Sequence, residues 1–202
     1  SNNTLNTYGG ISFEDDLNTF KISPSSNDQT NKYFGWETNK NIKSSGDQNA
    51  VKGGMFTMLG GSEYPNTFRS TGKDTRHQIN GLMDGLQNEP LLGFDFENLV
   101  WEPVIATHWK IGTDSMTFFF RIDPRARWAD GKEVTSEDVI ATYNILIDEG
   151  HGDPNTYTSW IDLFETPTAI SKYIVSIKAK KKDWRTFATI AEHAIYPSYY
   201  LN

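Results

Sequence analysis

Between Met116 and Ile147 the hydrophobic period of this chain changes from two to 3.6. Met116, Phe118, Phe120 and Ile122 alternate with Thr117, Phe119 and Arg121, the pattern of a strand with one face in a core. Pro124 stops that strand, and Asp130-Gly131 between Trp128 and Val134 is a hairpin-type dipeptide. Thr135-Ser136-Glu137-Asp138 then reads as a helix start. Thr135 is placed to cap the first turn and Asp138 to reach back to it. Val139, Tyr143, Leu146 and Ile147 mark the buried face, with Gly150 as the expected stop. A chain that buries both a period-two face and a 3.6-period face must be mixed α/β or α+β.

The remaining elements fit that class. Met55 to Leu59, between Gly53-Gly54 and Gly60-Gly61, predicts a short buried strand. Ile79, Leu82, Met83 and Leu86 predict one face of a helix that ends before Pro90. Trp109-Lys110-Ile111 predicts a partner strand, joined to Met116–Ile122 through the turn-rich Gly112-Thr113-Asp114-Ser115. Tyr173, Val175, Ile177 and Ala179 predict a strand over 170–179. Lys180-Lys181-Lys182 reads as a solvated turn, and Trp184, Phe187, Ala188 and Ala191 as a further helical face. Residues 1–50 sustain neither period and read as an extended arm or surface loop. Phe13, Phe20, Tyr33, Phe34 and Trp36 are expected to pack parts of it. Residues 51–202 read as the structured body, without a low-complexity linker or repeat.

Composition excludes several functions. Lys and Arg number 19 and Asp and Glu 26, so the net charge is −7. With a pI near 5.1 the chain is poorly suited to a phosphate backbone, and no nucleic-acid partner is expected. The absence of cysteine removes disulfides, thiolate metal sites and cysteine nucleophiles. No apolar run reaches the ~18 residues of a membrane span. The start, Ser1-Asn2-Asn3-Thr4, has no secretory-signal pattern, and the aromatic end, Tyr199-Tyr200-Leu201, is unlike a frayed terminus. Both ends are expected to be cuts in a longer chain.

Catalytic motifs are equally sparse. There is no P-loop, no dinucleotide fingerprint and no nucleophile elbow. His77, His108, His151 and His193 lie far apart, without metal-pair spacing. The acidic, glycine-containing loop Asp148 to Asp153 lacks the calcium pattern. The carboxylate pairs Asp15-Asp16, Asp95/Glu97 and Glu137-Asp138 leave a glycoside-type hydrolase as a remote alternative. Tyr64, Tyr157 and Trp160 fall beside turn residues, where aromatics serve either as ligand contacts or as caps on the core.

A family resemblance is carried by Arg127-Trp128-Ala129-Asp130-Gly131-Lys132-Glu133-Val134-Thr135-Ser136-Glu137-Asp138-Val139. It resembles the signature of peptide/nickel-type extracellular solute-binding proteins of ABC importers. Lys52-Gly53-Gly54, Glu89-Pro90-Leu91-Leu92-Gly93-Phe94, Trp101-Glu102-Pro103-Val104-Ile105-Ala106, Met116 to Ile122 and Ile195-Tyr196-Pro197-Ser198-Tyr199-Tyr200-Leu201 resemble further segments of that family, in its order. Glu133 stands where the family often has Pro, and Ser136 where it often has Ala. Residues 1–50 lie outside the resemblance.

The resemblance implies a periplasmic-binding-protein-like, two-lobed α/β fold, of which this chain is the N-terminal part of lobe one. It implies a receptor that captures oligopeptides, or a related small solute, outside the cytoplasmic membrane and delivers them to the membrane permease of an ABC importer. Such a receptor is a monomer without catalysis or cofactor, periplasmic or extracellular, free or lipid-anchored. The ligand-facing residues it implies are Ser62, Glu63, Tyr64 and Asn66 in one loop, and Asn155, Tyr157, Thr158 and Trp160 in another. Glu63 would hold a ligand ammonium or stay a solvated loop acid. The alternative from a different class is an interaction or sensing module that keeps the receptor fold.

Overall fold

The computed structural model describes residues 7–8, 11–12, 35–42, 47, 49–51, 53–57, 64–73 and 75–201. The elements are β1 (Thr7–Tyr8), β2 (Ile11–Ser12), α1 (Gln78–Gln87), β3 (Leu92–Asp95), β4 (Val100–Pro103), β5 (Ala106–Ile111), β6 (Thr117–Ile122), α2 (Ser136–Leu146), α3 (Pro154–Leu163), β7 (Thr168–Ala169), β8 (Ile174–Lys178), α4 (Arg185–Ala191) and α5 (Ser198–Leu201). A four-stranded sheet in the order β5-β6-β8-β7 is antiparallel throughout, and β1-β2 and β3-β4 form separate antiparallel pairs.

The expected β5-β6 pair is present, with Trp109 opposite Phe120 and Ile111 opposite Phe118. The core lies on the face of Trp109, Phe118, Phe120 and Ile122, where α2, α3 and α4 bring Val139, Tyr143, Trp160 and Phe187. Phe187 sits at the junction of three rings, 5.1 Å from Trp101, 5.4 Å from Phe118 and 5.7 Å from Phe120.

The opposite sheet face departs from the alternating pattern. Arg121, expected outside, is fully enclosed, and Thr107, His108 and Ile174 are buried with it. Trp36 is also buried, its ring 6.3 Å from that of Phe119. Glu37 exchanges two backbone hydrogen bonds with Trp109, of 2.7 and 3.0 Å, and the Thr38 hydroxyl donates to the Thr107 carbonyl. This strap along the edge of β5 gives the sheet a second buried side. Phe13, Phe20, Tyr33 and Phe34 lie outside the described residues.

Enclosure is possible for Arg121 because it is bonded: its Nη1 donates to Thr107 Oγ1 at 3.2 Å. His108 Nδ1 lies 2.9 Å from the same oxygen. Burial, then Arg121 and Lys40, pushes the His108 pKa down to about 3, so this imidazole is neutral.

Other expectations need correction. Residues 55–57 of the predicted strand pair with no other strand, and Met55 and Phe56 are exposed. A strand exists only with a ladder partner; Met58 and Leu59 lie outside the described residues. The helix over Ile79–Leu86 forms, yet Leu86 is exposed and the buried residue is Asn80. Its Nδ2 donates to the Thr67 carbonyl at 3.0 Å, and its Oδ1 accepts from Arg69 N at 3.4 Å, so a polar staple holds the loop before α1. Trp184 is exposed because it occupies the N-cap of α4, outside the face made by Thr186, Phe187, Ile190 and Ala191. Helix α2 stops at Leu146 rather than Gly150. A short 3-10 turn, Glu149–His151, follows, nucleated by Asp148 accepting from Gly150 N at 2.7 Å.

Candidate ligand-binding face

The signature block forms one rigid corner. Trp128 N donates to the Lys132 carbonyl and Gly131 N to the Trp128 carbonyl, both at 2.8 Å, closing the predicted tight turn. The expected acid of the helix start does more than cap. Asp138 is buried, its Oδ2 accepting from Thr135 N at 2.7 Å and its Oδ1 from Ser198 N at 2.8 Å. Thr142 Oγ1 accepts from Tyr196 N at 2.9 Å while donating to the Asp138 carbonyl. Lys132 Nζ lies 3.4 Å from the centre of the Tyr199 ring. The blocks around 127–139 and 195–201 are therefore one physical unit.

The two segments implied as ligand-facing meet differently. Ser62 and Glu63 lie outside the described residues. Tyr64 and Asn66 are exposed, with the Tyr64 ring edge-on to Phe68 at 6.4 Å. Residues 155–160 are not a loop but the first part of α3. Asp153 is its N-cap, accepting from Thr156 N at 3.3 Å and from Thr156 Oγ1 at 2.7 Å, with Pro154 in the first turn. Asp-Pro ahead of apolar residues at helical spacing is a helix-start signal that could have revealed this from sequence. On α3, Asn155 and Thr158 face solvent and Tyr157 is half-buried. The Tyr157 hydroxyl bonds Glu149, whose carboxylate raises the phenol pKa. Trp160 turns inward to 6% exposure, 4.7 Å from the His193 ring and 5.4 Å from Phe164.

Among the described residues no hydrogen bond or ring contact joins Tyr64 or Asn66 to residues 155–160. The joint runs through the neighbouring backbone: Lys73 N donates to the His151 carbonyl at 2.8 Å. Gly72 permits it. Its φ is +89°, and a Cβ there would lie 2.7 Å from the His151 carbonyl oxygen. A cavity of about 460 Å³ opens at this joint, lined by Gly72, Lys73, Arg76, His77, Gly152 and Asp153 among others.

Behind α3, His193 is half-buried overall, but its Nε2 is enclosed without a hydrogen-bond partner among the described residues. Desolvation lowers its pKa from 6.5 to about 4, against a small opposing effect of Asp84. The unfolded chain therefore binds more protons than the folded one between about pH 4 and 6.5, so stability falls as pH drops through that window. The expected contribution is up to about 1.4 kcal/mol per pH unit. His108, lowered to about 3, adds a slope of the same sign. Urea midpoints at pH 7, 6 and 5 should show both, and His193→Gln should remove about half of the combined slope. An unchanged slope in the variant rejects the assignment.

Among the described residues no cluster of His, Asp and Glu could hold a metal ion, and no helix is long and apolar enough to cross a membrane. The carboxylate pairs that lie within them have local structural tasks. Asp95 Oδ1 accepts from Glu97 N and Asn98 N to close the β3-β4 turn, and Asp138 holds Thr135 and Ser198. Asp15-Asp16 lies outside the described residues.

The chain is a mixed sheet-and-helix body with a tied signature corner and with Tyr64, Asn66, Asn155 and Thr158 exposed. Comparison with known proteins gives its kind. The model of bacterial extracellular solute-binding proteins, family 5 Middle, matches residues 100–200, half of the chain, and the chain belongs to that family. The dipeptide-binding protein DppE of Bacillus subtilis is 28% identical over 115 residues, covering 56% of this chain and 20% of DppE. The structure of Haemophilus influenzae OppA in complex with RPPGFSPFR superposes with a TM-score of 0.57 at 19% identity, over 67% of this chain and 29% of OppA. The dipeptide-binding protein of Pseudoalteromonas sp. SM9913 in complex with Met-Leu gives 0.54 at 17% identity, over 66% and 29%. These likenesses show the periplasmic-binding-protein fold, of which this chain is a part. The chain spans about a fifth of the length of DppE.

Proposed function

We propose that this chain is part of a substrate receptor that captures oligopeptides outside the cytoplasmic membrane and hands them to an ABC-importer permease. Membership of the solute-binding family carries this reading. Its named relatives DppE, OppA and the Pseudoalteromonas protein are peptide binders, which supports peptide as the ligand class. Residues 51–202 would belong to lobe one and residues 1–50 to an arm outside it. The receptor would act by binding alone, as a monomer.

Tyr64, Asn66, Asn155, Tyr157 and Thr158, with Ser62 and Glu63, would face the ligand, and Trp160 would hold α3 from the core. The chemistry suits peptide: exposed amide and hydroxyl groups can pair with ligand backbone, while aromatic rings offer broad apolar walls. The test is to purify the full-length protein natively, denature it and identify the released small molecules by mass spectrometry. A ladder of short peptides is the expected result. A single sugar or metal chelate would replace the ligand class, and release of nothing together with stable capture of a partner protein would favour the interaction-module alternative.

A further inference from the structure

The turn between β8 and α4 is basic on an acidic chain. Residues 178–185 hold five cations and one acid, where the whole chain carries −7, and Lys180-Lys181-Lys182 is the only run of three basic residues in the sequence. Two of the five are paired, Lys178 with Glu165 at 3.1 Å and Arg185 with Asp183 at 2.7 Å. Lys180 Nζ donates to the Ile161 carbonyl and keeps its charge. Lys181 and Lys182 are exposed and make no hydrogen bond or ion pair among the described residues. Beside them stands Trp184. Of the six tryptophans it alone is exposed, at 87%, while the other five are buried or half-buried. The backbone beneath is tied down. Lys180 N donates to the Leu163 carbonyl at 2.8 Å, Asp183 Oδ1 accepts from Arg185 N at 2.9 Å, and the Asp183 carbonyl accepts from Thr186 Oγ1 at 2.7 Å. Trp184 is the N-cap of α4 without a side-chain cap bond, so its indole takes no part in holding the turn.

An exposed indole next to three ammonium groups without a carboxylate partner matches the chemistry of a membrane interface. Tryptophan settles at headgroup level, its ring in the apolar boundary and its N–H in water. Lysines on flexible stems reach the phosphates, and each is worth roughly fivefold in affinity near an anionic surface. A chain of net charge −7 is repelled as a whole by such a surface. Beyond a screening length of ~8 Å that repulsion fades, so a local patch of opposite sign decides which side approaches. A stable protein interface takes roughly 20–30 residues a side. Four side chains on one tight turn are few for that, whereas a bilayer needs no matching shape. We infer that the β8-α4 turn is a peripheral contact for a bilayer of anionic lipid, with Trp184 among the headgroups and Lys180, Lys181 and Lys182 on their phosphates. This rests on the reading above of a receptor working outside the cytoplasmic membrane, and adds which part of the domain faces that membrane.

The test is sedimentation of the full-length protein, made without lipid modification, with large vesicles. One set is phosphatidylcholine containing a quarter phosphatidylglycerol, the other phosphatidylcholine alone. Half-maximal binding to the anionic vesicles is expected on the order of millimolar lipid at low salt, and at least about tenfold weaker on neutral vesicles or at high salt. Lys181→Ala with Lys182→Ala should weaken binding by about tenfold or more, and Lys181→Arg with Lys182→Arg should retain it. With bromine-labelled lipid, tryptophan fluorescence should be quenched in the parent protein and not in Trp184→Ala, which assigns the contact to that ring. These side chains are exposed, so the variants should melt at the parent temperature. Equal binding to both vesicles, binding unchanged by the lysine variants, or no binding would overturn the contact. So would a photoreactive residue at position 184 that crosslinks to a protein and not to lipid, which would assign the turn to a protein partner. Each of these failures leaves peptide capture untouched, because no ligand-facing residue lies in the turn, and the released-ligand experiment decides that reading separately.

Discussion

Replacing Asp138 with Ala is expected to lower the unfolding free energy by about 3–4 kcal/mol, the sum of a lost cap and of buried donors left without an acceptor. Asp138 is 2% exposed and ties its own helix start to a segment 60 residues further on, accepting from Thr135 N at 2.7 Å and Ser198 N at 2.8 Å. Ala leaves both N–H groups facing a small void that water enters poorly. For a chain of this length each 1 kcal/mol moves Tm by roughly 2–4 °C, so the melting temperature should fall by about 6–16 °C. Asp138→Asn keeps one carbonyl oxygen and should lose about half as much. The double variant Asp138→Ala with Thr142→Val should be less damaging than the sum of the singles, because Thr142 donates to the Asp138 carbonyl and holds Tyr196 beside the same corner. Strict additivity, or a loss below 1 kcal/mol for the Ala variant, would show that the corner is not a unit.

Phe187→Ala should cost about 3–5 kcal/mol, as large-to-small changes at well-packed aromatic sites do. Phe187 joins three parts of the fold: Trp101 of the β3-β4 hairpin at 5.1 Å, and Phe118 and Phe120 of the sheet at 5.4 and 5.7 Å, all from α4. The ring is stacked on Phe120 and edge-on to the other two, so the variant loses ring-specific contacts as well as buried area. Phe187→Leu should cost less than half as much. Equilibrium denaturation gives these values, and near-ultraviolet circular dichroism should lose part of its Trp101 signal in the Ala variant only. A Phe187→Ala loss under 1 kcal/mol would mean that the hairpin and sheet are held by something other than this ring.

Local signals were legible where they did not depend on a distant partner. The inward set Phe118, Phe120 and Ile122, the Asp130-Gly131 turn and the acid at Asp138 are short-range patterns, and each appears in the structure as expected, while the other face of that strand does not. The family was legible for the same reason, since its signature is a contiguous run of such patterns. The candidate site was less so. Tyr157 and Trp160 were read as loop residues because the turn residues before them outweighed the helix start at Asp153-Pro154.

By itself, then, the sequence determined the mixed fold class, the β5-β6 pair, the start of α2 and the resemblance to extracellular solute-binding proteins. Only the tertiary structure decided that Arg121 and His108 lie under the Trp36 strap, that Asp138 reaches Ser198, and that Lys73 meets His151. Period and turn chemistry are set by neighbours along the chain, whereas burial and pairing of polar groups depend on what a second, sequence-distant segment brings to them.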